Sequence, residues 1–194
     1  MKRIPVTPPG PQLYQWAIEN LDTTELRCKK GTVNVISCGM RTYTWFVKEG
    51  CTFTTMQTDQ GIGELANSIW QAGSMIHSME DDKMLPMHAL TDVVLVRISS
   101  EDFNKGVQAS AELSWALAEY YHYQFVRTLD NYKRAALDPS EVRLQDIEDF
   151  LENIECLQGE KVSDSTLAAF MGMHRVSISR IRKKLSHAHD VASD

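Results

Sequence analysis

The hydrophobic and polar positions of this chain change their period near residue 100. Before that point, short apolar runs rich in Val, Ile, Thr and aromatic residues alternate with turn signals such as "CGM", "KEG" and "DQG". Strands joined by hairpin turns have this pattern, so we predict an antiparallel sandwich or barrel. The predicted strands are residues 32–38, 43–47, 52–58, 73–77, 87–90 and 92–98.

Two segments of this first part have other patterns. Residues 11–26 place Leu13, Trp16, Ala17 and Leu21 on one face, which predicts a short helix. Residues 61–70 fit a strand and a helix equally well.

After residue 100 the period becomes helical. A short helix with Ser100 as its N-cap is predicted first, followed by a long helix over residues 109–136, which contain neither Gly nor Pro. Alternating spacings of three and four residues along the long helix form a heptad seam, typical of a helix that pairs with a partner. The seam is Trp115, Ala118, His122, Phe125, Leu129, Tyr132 and Ala136.

A second face of the same helix carries Leu113, Ala116, Tyr120 and Tyr123. A helix with two apolar faces must bury both. We therefore predict that one face packs on the sheet domain and the other on a second copy of the chain. The alternative is a single helix buried on all sides in one core.

The last part of the chain predicts three helices. Pro139 starts a helix over residues 140–155, and Gly159 ends it. The inner side of this helix is predicted to be Val142, Ile147, Phe150, Leu151 and Ile154.

Two further short helices meet at Gly172, in a turn that favours glycine because it needs a positive φ angle. Ser163 caps the first of them, Ala168 allows a close helix contact, and the second helix covers residues 174–185. This is the pattern of a helix-turn-helix. Its core positions are Leu167, Met171, Met173, Ile178 and Ile181.

Charge separates the two ends of the chain. The net charge is −6 overall, but residues 161–194 carry +3 and residues 1–160 carry −9. A small basic module on an acidic body is typical of DNA-binding regulators. A solvated cationic helix face is the alternative interpretation.

Other classes of protein are disfavoured by composition. No apolar run approaches the ~20 residues that span a bilayer, and no apolar core follows the basic start, so we expect neither a membrane span nor a signal peptide. Four scattered cysteines fit reduced thiols in the cytoplasm better than a disulfide framework.

The face of the last helix that packing leaves open holds the candidate DNA contacts. Arginine can donate two hydrogen bonds to guanine, while valine can contact only the methyl group of thymine. An inert helical hairpin is the alternative. The predicted contacts are Arg175, Val176, Ser177, Ser179, Arg180 and Lys183.

This order of elements resembles the CRP/FNR family of bacterial transcription regulators. The segments that carry the resemblance are "KKGTVNVISCG…YTWFVKEG", "ALTDVVLVRISSEDF", "LDPSEVRLQDIEDFL" and "VSDSTLAAFMGMHRVSISRIRKKL", of which only the last is specific by itself. The resemblance implies an α+β fold with an N-terminal antiparallel β-roll, similar to a double-stranded jelly roll. A long central dimerisation helix and a C-terminal helix-turn-helix domain follow.

The implied domains are a β-roll sensor (1–108), the dimerisation helix (109–137) and the DNA-binding domain (138–194). The family's β-wing is expected to be reduced or absent, since only "SHAHDVASD" follows Leu185.

The resemblance also places Arg175, Ser179 and Arg180 where the family reads bases. The family often has glutamate at the position of Val176, which accepts a hydrogen bond from cytosine. Valine resembles the branch that controls halorespiration genes, and it favours T/A pairs at that step.

The family's sensing chemistries find little support here. Cyclic-nucleotide binders hold the phosphate with Gly-Glu and a following Arg-Ser or Arg-Thr. "GIGELA" (61–66) offers Gly-Glu, but the equivalent position lies nearer "HSME" (77–80), and no arginine occurs between Arg41 and Arg97. We therefore expect no cyclic nucleotide.

Nor do we expect another cofactor or a metal. Cys28, Cys38 and Cys51 are spaced too widely for the family's iron–sulfur cluster and fit buried structural thiols better. Haem ligation by His77 or His88 competes with an ordinary packing role, which we favour.

An apolar or aromatic effector, a redox input and an effector-independent regulator remain as alternatives. Candidate effector contacts in the family's pocket are Tyr120, Tyr123, Arg127 and Thr128. A cupin-like metal enzyme is disfavoured because the roll contains only His77 and His88, eleven residues apart. The implied partners are a palindromic double-stranded operator, a second copy of the chain and RNA polymerase.

Overall fold

The protein is described by a computed structural model that covers residues 10–57, 64–77, 83–154, 157 and 162–192. Two compact units divide it. One contains Met1–Thr54 and Ser68–Asp130, and the other contains Thr55–Asn67 and Asn131–Asp194.

Within the described residues, one helix is followed by eight strands and then by five helices. In chain order they are α1 (Pro11–Asn20), β1 (Thr24–Cys28), β2 (Val33–Cys38), β3 (Tyr43–Glu49), β4 (Cys51–Gln57), β5 (Glu64–Gln71), β6 (Met75–Ile76), β7 (Lys83–Ala89), β8 (Val93–Ser99), α2 (Ser100–Ala109), α3 (Ala111–Leu137), α4 (Ser140–Glu152), α5 (Asp164–Met171) and α6 (Arg175–Ala192).

The strands form two four-stranded sheets, in the orders β1-β8-β3-β6 and β2-β7-β4-β5. Strand β8 lies between β1 and β3, and four of its residues in a row are buried, so both of its faces are covered. The core of the first unit includes Ile36, Phe46, Met75, Leu95 and Ile98. The predicted α+β fold with an antiparallel roll is therefore confirmed.

The helix predicted over residues 11–26 is too long. It ends at Asn20, and β1 follows and pairs antiparallel with β8. The sequence conceals this strand because charged Glu25 and Arg27 alternate with its apolar residues. Glu25 forms ion pairs with Arg27 at 2.8 Å and with Lys48 at 2.6 Å.

Other elements also differ from the prediction or decide between its alternatives. Residues 64–71 form a strand, β7 begins at Lys83 rather than at residue 87, and α6 ends at Ala192 rather than at residue 185. The N-cap of α2 is Ser99, whose Oγ accepts a hydrogen bond from the Asp102 N–H at 3.3 Å. Ser100 is buried instead, and its hydroxyl lies 2.9 Å from that of Thr44.

Helix α3 has the two faces that its sequence predicts. Leu113, Ala116 and Tyr120 are buried in the first unit, whereas Trp115 is 69% exposed and Phe125 is 66% exposed. Ala118, His122 and Leu129 of the seam are exposed as well. The side chains of Tyr132 and Ala136 lie outside the described residues.

The second unit contains α4, α5 and α6 packed together. Val142 does not lie on the inner side of α4 as predicted, since it is 48% exposed, and Leu144 is buried instead. Two residues turn a helix by about 200°, so these two side chains point to opposite sides. Leu151 and Ile154 are buried as predicted, Ile147 is half-buried, and the Phe150 side chain and Gly159 lie outside the described residues.

Candidate nucleic-acid interface

The turn between α5 and α6 fixes how α6 is presented. Ser163 caps α5, since its Oγ accepts the Thr166 N–H at 3.1 Å. Gly172 ends α5 in the left-handed region, with φ 62° and ψ 39°, which costs a glycine little. The Met173 N–H then donates to the Ala168 carbonyl at 3.0 Å. The chain reverses within a few residues, and α6 begins at Arg175.

Buried apolar side chains hold α6 against its neighbours. Ile178 of α6 is fully buried, as are Leu167, Ala168 and Met171 of α5. Met173 and Ile181 are half-buried. All five predicted core positions therefore face inward to some degree, and the opposite side of α6 is left to solvent.

That open side carries the predicted DNA contacts. Arg175, Ser179, Arg180 and Lys183 are exposed, and Val176 is 61% exposed. Ser177 is partly buried. No ion pair within the described residues engages Arg175 or Arg180. The arrangement presents two guanidinium groups and an apolar methyl pair from the first two turns of a helix.

Two other cations of α6 bind carboxylates of neighbouring helices, and sequence reasoning missed this difference. Arg182 forms ion pairs with Glu148 of α4 and Asp164 of α5, and Lys184 forms one with Glu141 at 2.6 Å. Hydrogen bonding to Glu148 raises the pKa of Arg182 above its ordinary value. The helical period does not contain this signal, because Arg182 lies within about 20° of Arg175 and Lys184 within about 40° of Arg180 around the helix axis.

Arg143 also faces inward in this unit. Its Nη2 donates to the Met171 carbonyl at 3.1 Å, at the end of α5 just before the turn. Cations near a helix C-terminus are favourable because they neutralise the partial negative charge there.

The four predicted effector residues lie along α3 but differ in exposure. Tyr120 is buried, and its hydroxyl donates to the Met75 carbonyl and accepts a hydrogen bond from Gln124 Nε2 at 3.1 Å. Burial raises the pKa of Tyr120 far above its ordinary value. Tyr123 and Arg127 are half-buried, and Thr128 is exposed. The Tyr120 hydroxyl therefore both donates and accepts a hydrogen bond within the protein.

The roll's histidines make ordinary packing contacts. His77 Nδ1 lies 2.7 Å from the Thr44 hydroxyl, and its ring packs near Phe103 and Tyr121. Burial lowers the pKa of His77 to about 4. The His88 ring stacks on Phe53 with centroids 4.6 Å apart.

Cys28, Cys38 and Cys51 are buried and form no disulfide, as predicted for structural cysteines. Burial raises the pKa of Cys28. Among the described residues, no group of three or more His, Cys, Asp or Glu side chains could hold a metal ion. Cys156, and parts of both Gly-Glu candidates (61–63 and 78–80), lie outside the described residues.

Helix α6 continues to Ala192, and no strand follows it within the part of the chain that is described. No helix among the described residues combines the length and the apolar character that crossing a membrane requires.

No protein-family model and no curated protein matches the sequence. Solved structures do match the fold. CLP of Xanthomonas campestris, a c-di-GMP responsive global regulator, is 17% identical with a TM-score of 0.72, over 92% of both chains. A CRP/FNR transcriptional regulator from Thermus thermophilus is 18% identical with a TM-score of 0.68, over 85% of this chain and 87% of that one.

A cysteine-to-serine variant of CprK, in complex with OCPA, also matches. It is 14% identical with a TM-score of 0.59, over 92% of this chain and 84% of its own. At such identities the likeness concerns the arrangement of elements and not the sites. The predicted resemblance is confirmed at that level: this chain has the fold of the CRP/FNR family of transcription regulators.

Proposed function

We propose that this protein is a sequence-specific DNA-binding transcription regulator of the cytoplasm. The observation that carries the proposal is the open side of α6, where Arg175, Val176 and Arg180 project from a helix whose other side is buried. The major groove of B-DNA is about 12 Å wide and admits one α-helix. The positive charge of residues 161–194 adds sequence-independent attraction to phosphates.

The proposed contacts divide by chemistry. Arg175 and Arg180 donate to guanine O6 and N7, and Val176 packs on a thymine methyl group. Ser179 contacts a base edge, while Ser177 and Lys183 contact the backbone. Backbone contacts set the position of the helix, and base contacts set the sequence.

The regulator acts as a homodimer through α3. Trp115 and Phe125 are large and exposed along a single heptad seam, and the opposite side of α3 already packs on its own roll. A second copy of the same helix would cover the seam. Two recognition helices related by a two-fold axis would then read half-sites about 34 Å apart, one turn of DNA.

Regulation is proposed to be a population shift between states that do and do not match this spacing. An apolar or aromatic effector near Tyr123, Arg127 and Thr128 would shift it through α3 or the hinge at residues 137–140. Tyr120, whose buried hydroxyl is hydrogen-bonded to the protein, would shape this site without binding the effector through its hydroxyl. RNA polymerase is the proposed target of the bound regulator.

The groove assignment is tested by Arg180→Ala. Loss of a bidentate contact to guanine should weaken binding to a selected operator by roughly 1–3 kcal/mol, mainly at one base pair. Gel shifts at fixed salt measure the loss.

Arg27→Ala is a matched control, since Arg27 is an exposed arginine of β1, and operator affinity should stay unchanged. Equal affinities for the Arg180→Ala and wild-type proteins would show that α6 does not read the groove.

A further inference from the structure

The cations of α6 are not equivalent. Five of them lie between Arg175 and Lys184. Arg175, Arg180 and Lys183 lie on the side that the proposed function assigns to DNA, whereas Arg182 and Lys184 form ion pairs with carboxylates of the same unit. The position of Arg182 within the unit separates it further from the rest.

Arg182 joins three helices. Its Nε donates to Glu148 Oε1 of α4 at 2.9 Å, and its Nη2 contacts the same oxygen. Its Nη1 donates to Asp164 Oδ1, on the first residue of α5. The guanidinium group therefore uses all three of its nitrogens within the protein, and its planar geometry fixes the positions of both carboxylates relative to α6.

Charge balance argues against a phosphate contact at this position. One guanidinium group faces two carboxylates, so the cluster carries a net charge of −1. Two N–H groups of Arg182 remain unused, and a phosphate that approached them would lie beside both carboxylates. Such like-charge contacts cost free energy.

Lys184 does not share this arrangement. It has one partner, Glu141, and its side chain is three-quarters exposed. A single exposed ion pair contributes little to stability. The contact of Arg182 joins three helices. Its partners Glu148 and Asp164 are 31% and 25% exposed, while Arg182 itself is 42% exposed.

We infer that Arg182 is a positioning residue for DNA recognition, which rests on the proposed function. It fixes the orientation of α6 against α4 and α5 through Glu148 and Asp164, and it does not contact the phosphate backbone. The neighbouring Lys183 is the backbone contact.

Counterion release distinguishes these two roles. The logarithm of the binding constant falls with the logarithm of salt concentration, with a slope of about −0.9 for each phosphate neutralised. A substitution that removes a phosphate contact makes this slope shallower. A substitution that only disturbs the orientation of α6 weakens binding and leaves the slope unchanged.

The experiment measures operator affinity of the full chain against salt for wild type, Arg182→Gln, Glu148→Gln and Lys183→Gln. Lys183→Gln should make the slope shallower by about 0.9 for each subunit. Arg182→Gln should keep the wild-type slope and bind roughly two- to fivefold more weakly, the loss expected for a partly exposed ion pair. Arg182→Lys, which keeps one ion pair, should recover part of the affinity.

Glu148→Gln gives opposite results for the two roles. If Arg182 positions α6, this variant binds no more tightly than wild type and has the same slope. If Arg182 can reach phosphate, its release from Glu148 tightens binding and steepens the slope.

Tighter operator binding with a steeper salt slope for Glu148→Gln would overturn the inference. So would a salt slope for Arg182→Gln as shallow as that of Lys183→Gln. Absence of operator binding by the wild-type protein would instead refute the proposed function itself.

Discussion

At the scale of single residues, the burial of His77 makes the stability of the folded protein depend on pH. Its ring is enclosed near Phe103 and Tyr121, and Thr44 is its hydrogen-bond partner. Burial disfavours the charged imidazolium, so the pKa falls from 6.5 in the unfolded chain to about 4 in the folded protein. At a pH between these two values, His77 is more often protonated in the unfolded state than in the folded protein. Stability from this residue is therefore complete above pH 6.5 and is lost as pH falls toward 4.

The corresponding measurement is urea unfolding between pH 7 and pH 4.5. The free energy of unfolding should fall by up to about 3 kcal/mol over the whole titration of His77, at 1.36 kcal/mol for each pKa unit. His77→Gln should flatten the pH dependence between 5 and 6.5. His174→Gln, at an exposed histidine, is the control and should keep the wild-type profile. An unchanged profile for His77→Gln would contradict the assignment.

Single residues also differ in how far the sequence could predict them. Gly172 is predicted in the turn, four residues after Ala168, because this turn needs a positive φ that favours glycine, and the structure has φ 62° there. The ion pairs of Arg182 with Glu148 and Asp164 were not predicted. Its partners Glu148 and Asp164 are 34 and 18 residues away, so the contact follows from tertiary packing and not from local pattern.

At the scale of elements, α3 is the helix whose pattern is most informative. The same spacing rule predicts both its buried face and its exposed seam. Two apolar stripes are more than its own roll can cover, so one of them stays exposed in the single chain. Strand β1 was missed for the opposite reason. Its alternating charges, Glu25 and Arg27, give a weak apolar signal, and pairing with β8 determines its conformation.

The seam of α3 predicts the oligomeric state. Phe125→Glu should weaken self-association at least about tenfold, because a buried aromatic anchor is worth roughly 2 kcal/mol or more. Analytical ultracentrifugation over a concentration series measures the shift toward monomer. The melting temperature of the monomer should stay unchanged, since Phe125 is exposed within its own chain.

Glu119→Gln is the control on the same helix, at an exposed position outside the seam. It should leave self-association unaltered. A Phe125→Glu protein that dimerises like wild type would place the interface elsewhere.

At the scale of the whole molecule, net charge changes sign along the chain, from negative in the part that contains the strands to positive in the part that contains α5 and α6. The acidic part of the chain, −9 over residues 1–160, disfavours DNA, and residues 161–194 carry +3. Binding should therefore be confined to α6 and its surroundings, with orientation imposed by the rest of the charge. The order of elements could be predicted from sequence, because each period change is local. The operator and effector could not, because they depend on distances between side chains.

Selection of bound sequences from random double-stranded DNA, at one stated salt concentration, tests whether a dimer reads DNA through α6. The expected result is a palindrome whose half-site centres are about 10 base pairs apart. Guanines should lie at the positions read by Arg175 and Arg180, and a T/A pair at the step beside Val176. Enrichment of no sequence, or of a single asymmetric site, would contradict a dimeric regulator that reads DNA through α6.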